Sequence, residues 1–176
     1  DSLLANRDTL RVYTDMSCFI DHNNLAHIAF TTISYFQLEN GSYPNASIIW
    51  HWSEQYPDTF TVIGNYFDIF SSVDCGDWNY MAQRPSLGED AAGHLYCSYQ
   101  VFDTDTARLT AQPFVKPSGE VYLTTSIDGG MHWAQGINIT NTLTPRDALP
   151  GQSLSELSPT MAKKVDDYCH IQYVLD

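Results

Sequence analysis

The stretch "SIDGGMHW", Ser126 to Trp133, interrupts a strand-like run with a serine, an aspartate, two glycines and a tryptophan at fixed intervals. Ser126, Asp128, Gly130 and Trp133 fall at i, i+2, i+4 and i+7. A hairpin turn here needs a residue tolerant of positive φ, which Gly129 or Gly130 supplies without steric cost. The side chains of Ser126 and Asp128 can accept hydrogen bonds from turn N–H groups that have no ladder partner. Trp133 is expected to begin the next strand and fold its ring over the turn. The stretch reads as a self-capped hairpin.

Around it the pattern is nearly all β. "GEVYLTTS", "NASIIWHWS", "DTFTVIGNYF" and "GHLYCSYQVF" alternate apolar and polar residues and are bounded by Gly, Asn, Asp and Pro. The best helical candidate, "SLSELSPTMAKKV", is interrupted by Pro159. Three windows align without gaps: "MSCFIDHNNLAHIAF" from Met16, "PSLGEDAAGHLYCSY" from Pro85 and "PTMAKKVDDYCHIQY" from Pro159. Each is a strand, a polar turn and a second strand ending on an aromatic: Phe30, Tyr99 or Tyr173. Two further strand-like runs follow each of the first two windows. The unit is therefore about four antiparallel strands, as in a propeller blade. The expected organisation is an N-terminal strand or linker over 1–15, blades over 16–84 and 85–158, and the first half of a blade over 159–176. The alternative is a β-sandwich, which would not require matched hairpins at a fixed period.

The Ser-x-Asp-x-Gly-x-x-Trp spacing resembles the Asp-box, or bacterial neuraminidase repeat, of sialidase-like β-propellers and of many secreted non-enzymatic propellers. "SGEVYLTTSIDGGMHW" and "SPTMAKKVDDYCHIQYVLD" also resemble blades of large secreted bacterial propellers. "SSVDCGDW" is a degenerate echo, with Ser72, Asp74 and Gly76 in step and Trp78 one residue early. The resemblance implies an incomplete β-propeller of about two and a half blades, secreted or at the cell surface. It also implies that Asp128 faces its own turn and is scaffold, not a catalytic acid. A propeller needs at least about four blades to close. The expected partners are therefore the remainder of a longer chain, or other copies of this one.

Composition narrows the function classes. The 176 residues carry 8 basic and 21 acidic side chains, a net charge of −13, which repels phosphate backbones and argues against nucleic acid. No apolar run approaches the roughly 18 residues of a membrane span. Cys18, Cys75, Cys97 and Cys169 lack zinc-site spacing and allow two disulfides or free buried thiols. Asn40, Asn45 and Asn138 open glycosylation sequons.

Candidate chemistry is sparse. Sialidase-type hydrolysis implies a cluster of arginines on the substrate carboxylate and a Tyr nucleophile paired with a Glu. Of Arg7, Arg11, Arg84, Arg108 and Arg146, only Arg84 precedes a first strand where it could face a central channel. A loop ion pair with Glu89 or Asp90 is its bland alternative. Trp50 and Trp52 share one strand face and could stack on a sugar or simply pack between blades. His27 and His170 fall at equivalent repeat positions and read as packing residues. Asp103 and Asp105 in "DTDT", and Asp21 with Asn23 in "DHNN", offer ligands for Ca²⁺, or are polar loops. No cofactor is otherwise implied. The sequence points to a non-catalytic binding or structural module, either with glycans as candidate ligands or as part of an extracellular assembly. The alternative is a sialidase-type glycoside hydrolase whose site lies mostly outside this segment.

Overall fold

The computed structural model describes residues 10–34, 46–66, 75–76, 78–102, 117–144, 152 and 154–175. Within them the chain is all-β and antiparallel, with no helix. Strands β1 (Leu10–Ile20), β2 (Ala26–Ser34), β3 (Ile48–Ser53) and β4 (Phe60–Asn65) form one four-stranded meander. Strands β5 (Ala82–Glu89), β6 (Leu95–Phe102), β7 (Gly119–Ser126) and β8 (Ile137–Asn138) form a second. Strands β9 (Glu156–Met161) and β10 (Ile171–Leu175) pair as a hairpin. Among the described residues these sheets do not close a ring. The best helical candidate, interrupted by Pro159, contains strand β9, in which Met161 pairs with Ile171, as the window from Pro159 implied.

The turns follow a rule of their own. Asp21 ends the turn between β1 and β2 by accepting the amides of Asn23 (3.0 Å) and Leu25 (2.7 Å) on Oδ1. Asp90 does the same between β5 and β6, accepting Ala92 and His94, both at 2.9 Å. The residue that turns left-handed is Asn24 (φ 62°) in one and Gly93 (φ 85°) in the other. Asn and Gly are the residues that tolerate this region. In the 126–133 turn, Ser126 Oγ donates to Asp128 Oδ1 (2.8 Å) and accepts the Gly130 amide (2.9 Å). Asp128 Oδ1 accepts the His132 amide at 2.9 Å, and its Oδ2 meets His132 Nδ1 at 2.6 Å. Burial alone would raise the Asp128 carboxyl, but the His132 amide and ring and the Ser126 hydroxyl hold it at about 2. Trp133 lies ahead of β8, which opens only at Ile137. Its indole turns inward, edge-on to His51 with centroids 5.3 Å apart.

The sheets stack face to face. Strand β5 lies against β1, β2 and β3, and β9 lies against β5, β6 and β7. Ala29, Ile49 and Ile63 of the first sheet pack on Leu87, Cys97, Tyr99 and Val101 of the second. The polar links between sheets repeat. Ser17 Oγ accepts the Leu87 amide (3.1 Å), and Ser86 Oγ accepts the Met161 amide (3.0 Å). Ser17 and Ser86 hold the same place in the aligned windows, as do Leu87 and Met161. An unpaired buried amide costs about 1–3 kcal/mol, so these links fix how neighbouring first strands register.

A second link joins the first sheet to the 126–133 turn. His27 Nδ1 and His51 Nε2 are 2.9 Å apart, and both side chains are buried. Thr61 Oγ1 donates to the Gly130 carbonyl at 2.6 Å. The His51 ring lies so close under Gly130 that a Cβ there would come within 2.1 Å of it. Gly129 would meet only the end of the Gln55 side chain, at 2.7 Å.

Two outcomes follow. Gly130→Ala, which meets both a φ of 89° and the His51 ring, destabilises by roughly 2–4 kcal/mol in denaturant titrations. Gly129→Ala costs only about 1 kcal/mol, because Gln55 can swing away. Asp128, with a folded pKa below its ordinary value, contributes stability that is present above about pH 4 and lost as pH falls toward 2. Acid unfolding curves of Asp128→Asn therefore lack that part of the wild-type limb.

Candidate functional site

The first strands of the three sheets each carry an irregularity at the same place. The pairing register shifts in β1 between Val12 and Met16, in β5 between Gln83 and Ser86, and in β9 opposite Gln172–Val174. Pro85 and Pro159 have no N–H to give to a ladder, so the strand must bulge around them. The preceding residues, Arg84 (φ 58°) and Ser158 (φ 56°), are left-handed. That region is costly for a non-glycine and poorly compatible with a following proline. Bulges commonly re-aim side chains beside functional sites, and such strain concentrates there.

These three irregularities converge on a cleft of about 360 Å³, lined by Asp15, Ser17, Arg84, Ser86, Ser158, Lys163 and their neighbours. The Arg84 guanidinium donates to Ser158 Oγ, and the Arg84 amide donates to Asp15 Oδ2. Asp15 Oδ2 also accepts Thr31 Oγ1 at 3.0 Å. Asp15 Oδ1 is buried with no hydrogen-bond partner. Burial pushes the Asp15 carboxyl up, against the pull of the Arg84 amide, the Thr31 hydroxyl and the Arg84 charge. Lys163 Nζ donates to Ser17 Oγ at 2.9 Å, and burial pushes its ammonium down. The cleft thus offers cationic donors beside a buried acceptor.

Arg84 lies in this cleft and not in a pair with Glu89 or Asp90: Glu89 meets His22, and Asp90 meets His94. Asp15, Ser158 and Lys163 were not singled out from sequence. A signal existed in the aligned triplets Asp15-Met16-Ser17, Arg84-Pro85-Ser86 and Ser158-Pro159-Thr160.

The other candidates lie elsewhere. Trp50 and Trp52 share the half-buried face of β3, donating to Thr32 Oγ1 and to the Pro57 carbonyl, each at 2.8 Å. That face, away from the second sheet, also carries exposed Met16, Ile20, Phe60 and Val62. Ser126, Asp128, Gly130 and Trp133 form the turn already described. Asn138 is half-buried in β8 and accepts the Asn141 amide at 2.8 Å. His27 is buried, whereas His170 is exposed beside Asp166. All four thiols are free; burial pushes that of Cys97 up to about 12. Asn40, Asn45, Asp103, Asp105, Ser72, Asp74, Arg7, Arg108 and Arg146 lie outside the described residues. Asp21 stands near His22 and Glu89, and one ligand atom of each lies within 4.8 Å of the others.

No family model and no curated protein matches the chain. Among solved structures, it is similar to a crystal structure of a protein of unknown function from Dyadobacter fermentans, with 15% identity and a TM-score of 0.48. That similarity covers 89% of this chain and 47% of the other, so the chain spans about half the length of that protein.

The strain at Arg84 has a measurable consequence. In Arg84→Gly, relief of the left-handed backbone returns about 1 kcal/mol and loss of the Ser158 hydrogen bond removes about 1 kcal/mol. Its unfolding free energy by denaturant titration therefore stays within about 1 kcal/mol of wild type.

Proposed function

We propose that this chain is a run of Asp-box β-propeller blades, secreted or at the cell surface, acting as a non-catalytic glycan-binding module. Its ligand site is the cleft where β1, β5 and β9 meet. The observation that carries the reading is the unpartnered Asp15 Oδ1, buried near the charge of Arg84 in a cleft that Lys163 also lines. A buried carboxylate oxygen without a donor is unfavourable in the free protein, and a ligand hydroxyl removes the penalty. Neighbouring cationic donors then take ring or carboxylate oxygens of the same ligand. A sugar supplies hydroxyl donors and oxygen acceptors at this spacing, and a sialic acid adds a carboxylate.

The propeller part of the reading draws support from the repeated serine-to-amide links and from the adjacent first strands. Thr160 occupies the place of Ser17 and Ser86 in the aligned windows and is exposed on β9. A further sheet could dock there through the same link. The cleft's described lining contains no Tyr and no Glu, the pair needed for sialidase-type hydrolysis, which favours binding over turnover.

The test is saturation-transfer NMR with N-acetylneuraminic acid and methyl galactosides, on wild type, Asp15→Asn and Arg84→Gly. The expected result is transfer to at least one sugar, weakened about tenfold or more in both variants, or about 1.4 kcal/mol or more of binding energy. Absence of transfer to every sugar, or equal transfer in Asp15→Asn, contradicts the reading. Release of a fluorogenic sialoside's reporter would replace binding with hydrolysis.

A further inference from the structure

Outside the cleft, where the turn between β1 and β2 meets the end of β5, one buried atom has no partner that its neighbours can provide. The hydrogen-bond polarity of the histidine column shows why. Thr61 spends its only hydroxyl proton on the Gly130 carbonyl at 2.6 Å. Its oxygen, 3.5 Å from His51 Nδ1, can therefore only accept, and the Gly130 carbonyl beside the ring also favours a proton on His51. The His51 proton thus sits on Nδ1, leaving Nε2 as an acceptor. His27 Nδ1, at 2.9 Å, must donate to it. His27 Nε2 is then a lone pair.

That lone pair faces Asp21 Oδ2 at 3.5 Å, on a side chain 1% exposed, and Nε2 has no hydrogen-bond partner. At that separation neither atom meets the other in a well-formed hydrogen bond.

The surroundings supply ligands. Glu89, 8% exposed, reaches across from β5. Its Oε2 accepts the His22 amide at 3.0 Å, and its Oε1 lies 2.6 Å from His22 Nδ1. Donor atoms of Asp21, His22 and Glu89 all lie within 4.8 Å of one another, close enough for small side-chain rotations to bring them onto one ion. We propose that Asp21, His22 and Glu89 form a binding site for a divalent metal ion of the zinc class, with His27 Nε2, 3.5 Å from Asp21 Oδ2, the buried nitrogen that the ion would draw in. Two imidazoles and two carboxylates suit Zn²⁺ and its borderline neighbours better than Ca²⁺, which takes an all-oxygen sphere. The two carboxylates balance the ion's charge. Binding at His22 Nδ1 displaces the proton shared with Glu89 Oε1, which a neutral ring carries on Nε2 instead and a cationic ring gives up to solvent. The His27 tautomer is already set for ligation, because its other nitrogen donates to His51. The ion would staple the first sheet to the second.

The test is calorimetric titration of the chelator-treated full chain with Zn²⁺ and with Ca²⁺. The same titration is run on His22→Ala and Glu89→Gln, with Co²⁺ as a spectroscopic substitute. The His22 side chain is 59% exposed, so its removal leaves the fold intact. The expected result is saturable binding of one Zn²⁺, weakened about tenfold or more in both variants. Ca²⁺ binds more weakly, and Co²⁺ gives ligand-field bands without thiolate charge transfer. No saturable Zn²⁺ binding, unchanged affinity in His22→Ala, preference for Ca²⁺, or a thiolate band from the free cysteines would each overturn the site.

Discussion

Stacked sheets bury backbone and side-chain polar groups at every seam, and each must find a partner across it. In this chain a column running from the Gly130 carbonyl through His51 to His27 meets part of that requirement and leaves His27 Nε2 without a partner. Packing alone would not set the relation of the first sheet to the second, since Ala29, Ile49 and Ile63 could meet Leu87 and Tyr99 in more than one register. The column, and the Ser17–Leu87 link beside it, remove that freedom. Gly130 belongs to the same constraint, for any side chain there would occupy the space of the His51 ring. The 126–133 turn is thus more than a bend between β7 and β8. It is the surface of the second sheet on which the third and fourth strands of the first sheet rest.

With the seams fixed, the first strands come together, and the cleft follows. Pro85 and Pro159 prevent regular pairing where the three strands converge. The resulting bulges hold Arg84 and Ser158 in a strained conformation and set Asp15 against them. A regular strand would point these residues alternately to its two faces. The irregular ones bring donor and acceptor groups into one space. The cost of left-handed backbone and of an unpartnered carboxylate oxygen is tolerated because the seams on either side over-determine the local geometry.

The β pattern was legible in the sequence because alternation of apolar and polar residues follows directly from strand geometry. The hairpins of the aligned windows were visible for the same reason. Two kinds of feature were not. Strand β9 resembled a helix because "SELSPTMAKKV" has no clear alternation, and its identity depends on pairing with β10, a tertiary fact. His51, the partner of His27, lies 24 residues on, and Glu89 lies 67 residues from His22, so no local spacing could reveal them. Arg84 was visible as an arginine at the head of a strand, but its partner Ser158 lies 74 residues on. The Asp21 and Asp90 turns were readable in retrospect from an aspartate three residues before Asn24 or Gly93.

The column's polarity is the claim on which both the seam and the metal site stand, and ¹⁵N NMR of the histidine side chains in chelator-treated protein at neutral pH measures it directly. The account requires His27 and His51 to be neutral and protonated at Nδ1, with a scalar coupling across the His27 Nδ1–H···Nε2 His51 bond. A proton on Nε2 of either ring, or a doubly protonated His27, would contradict it.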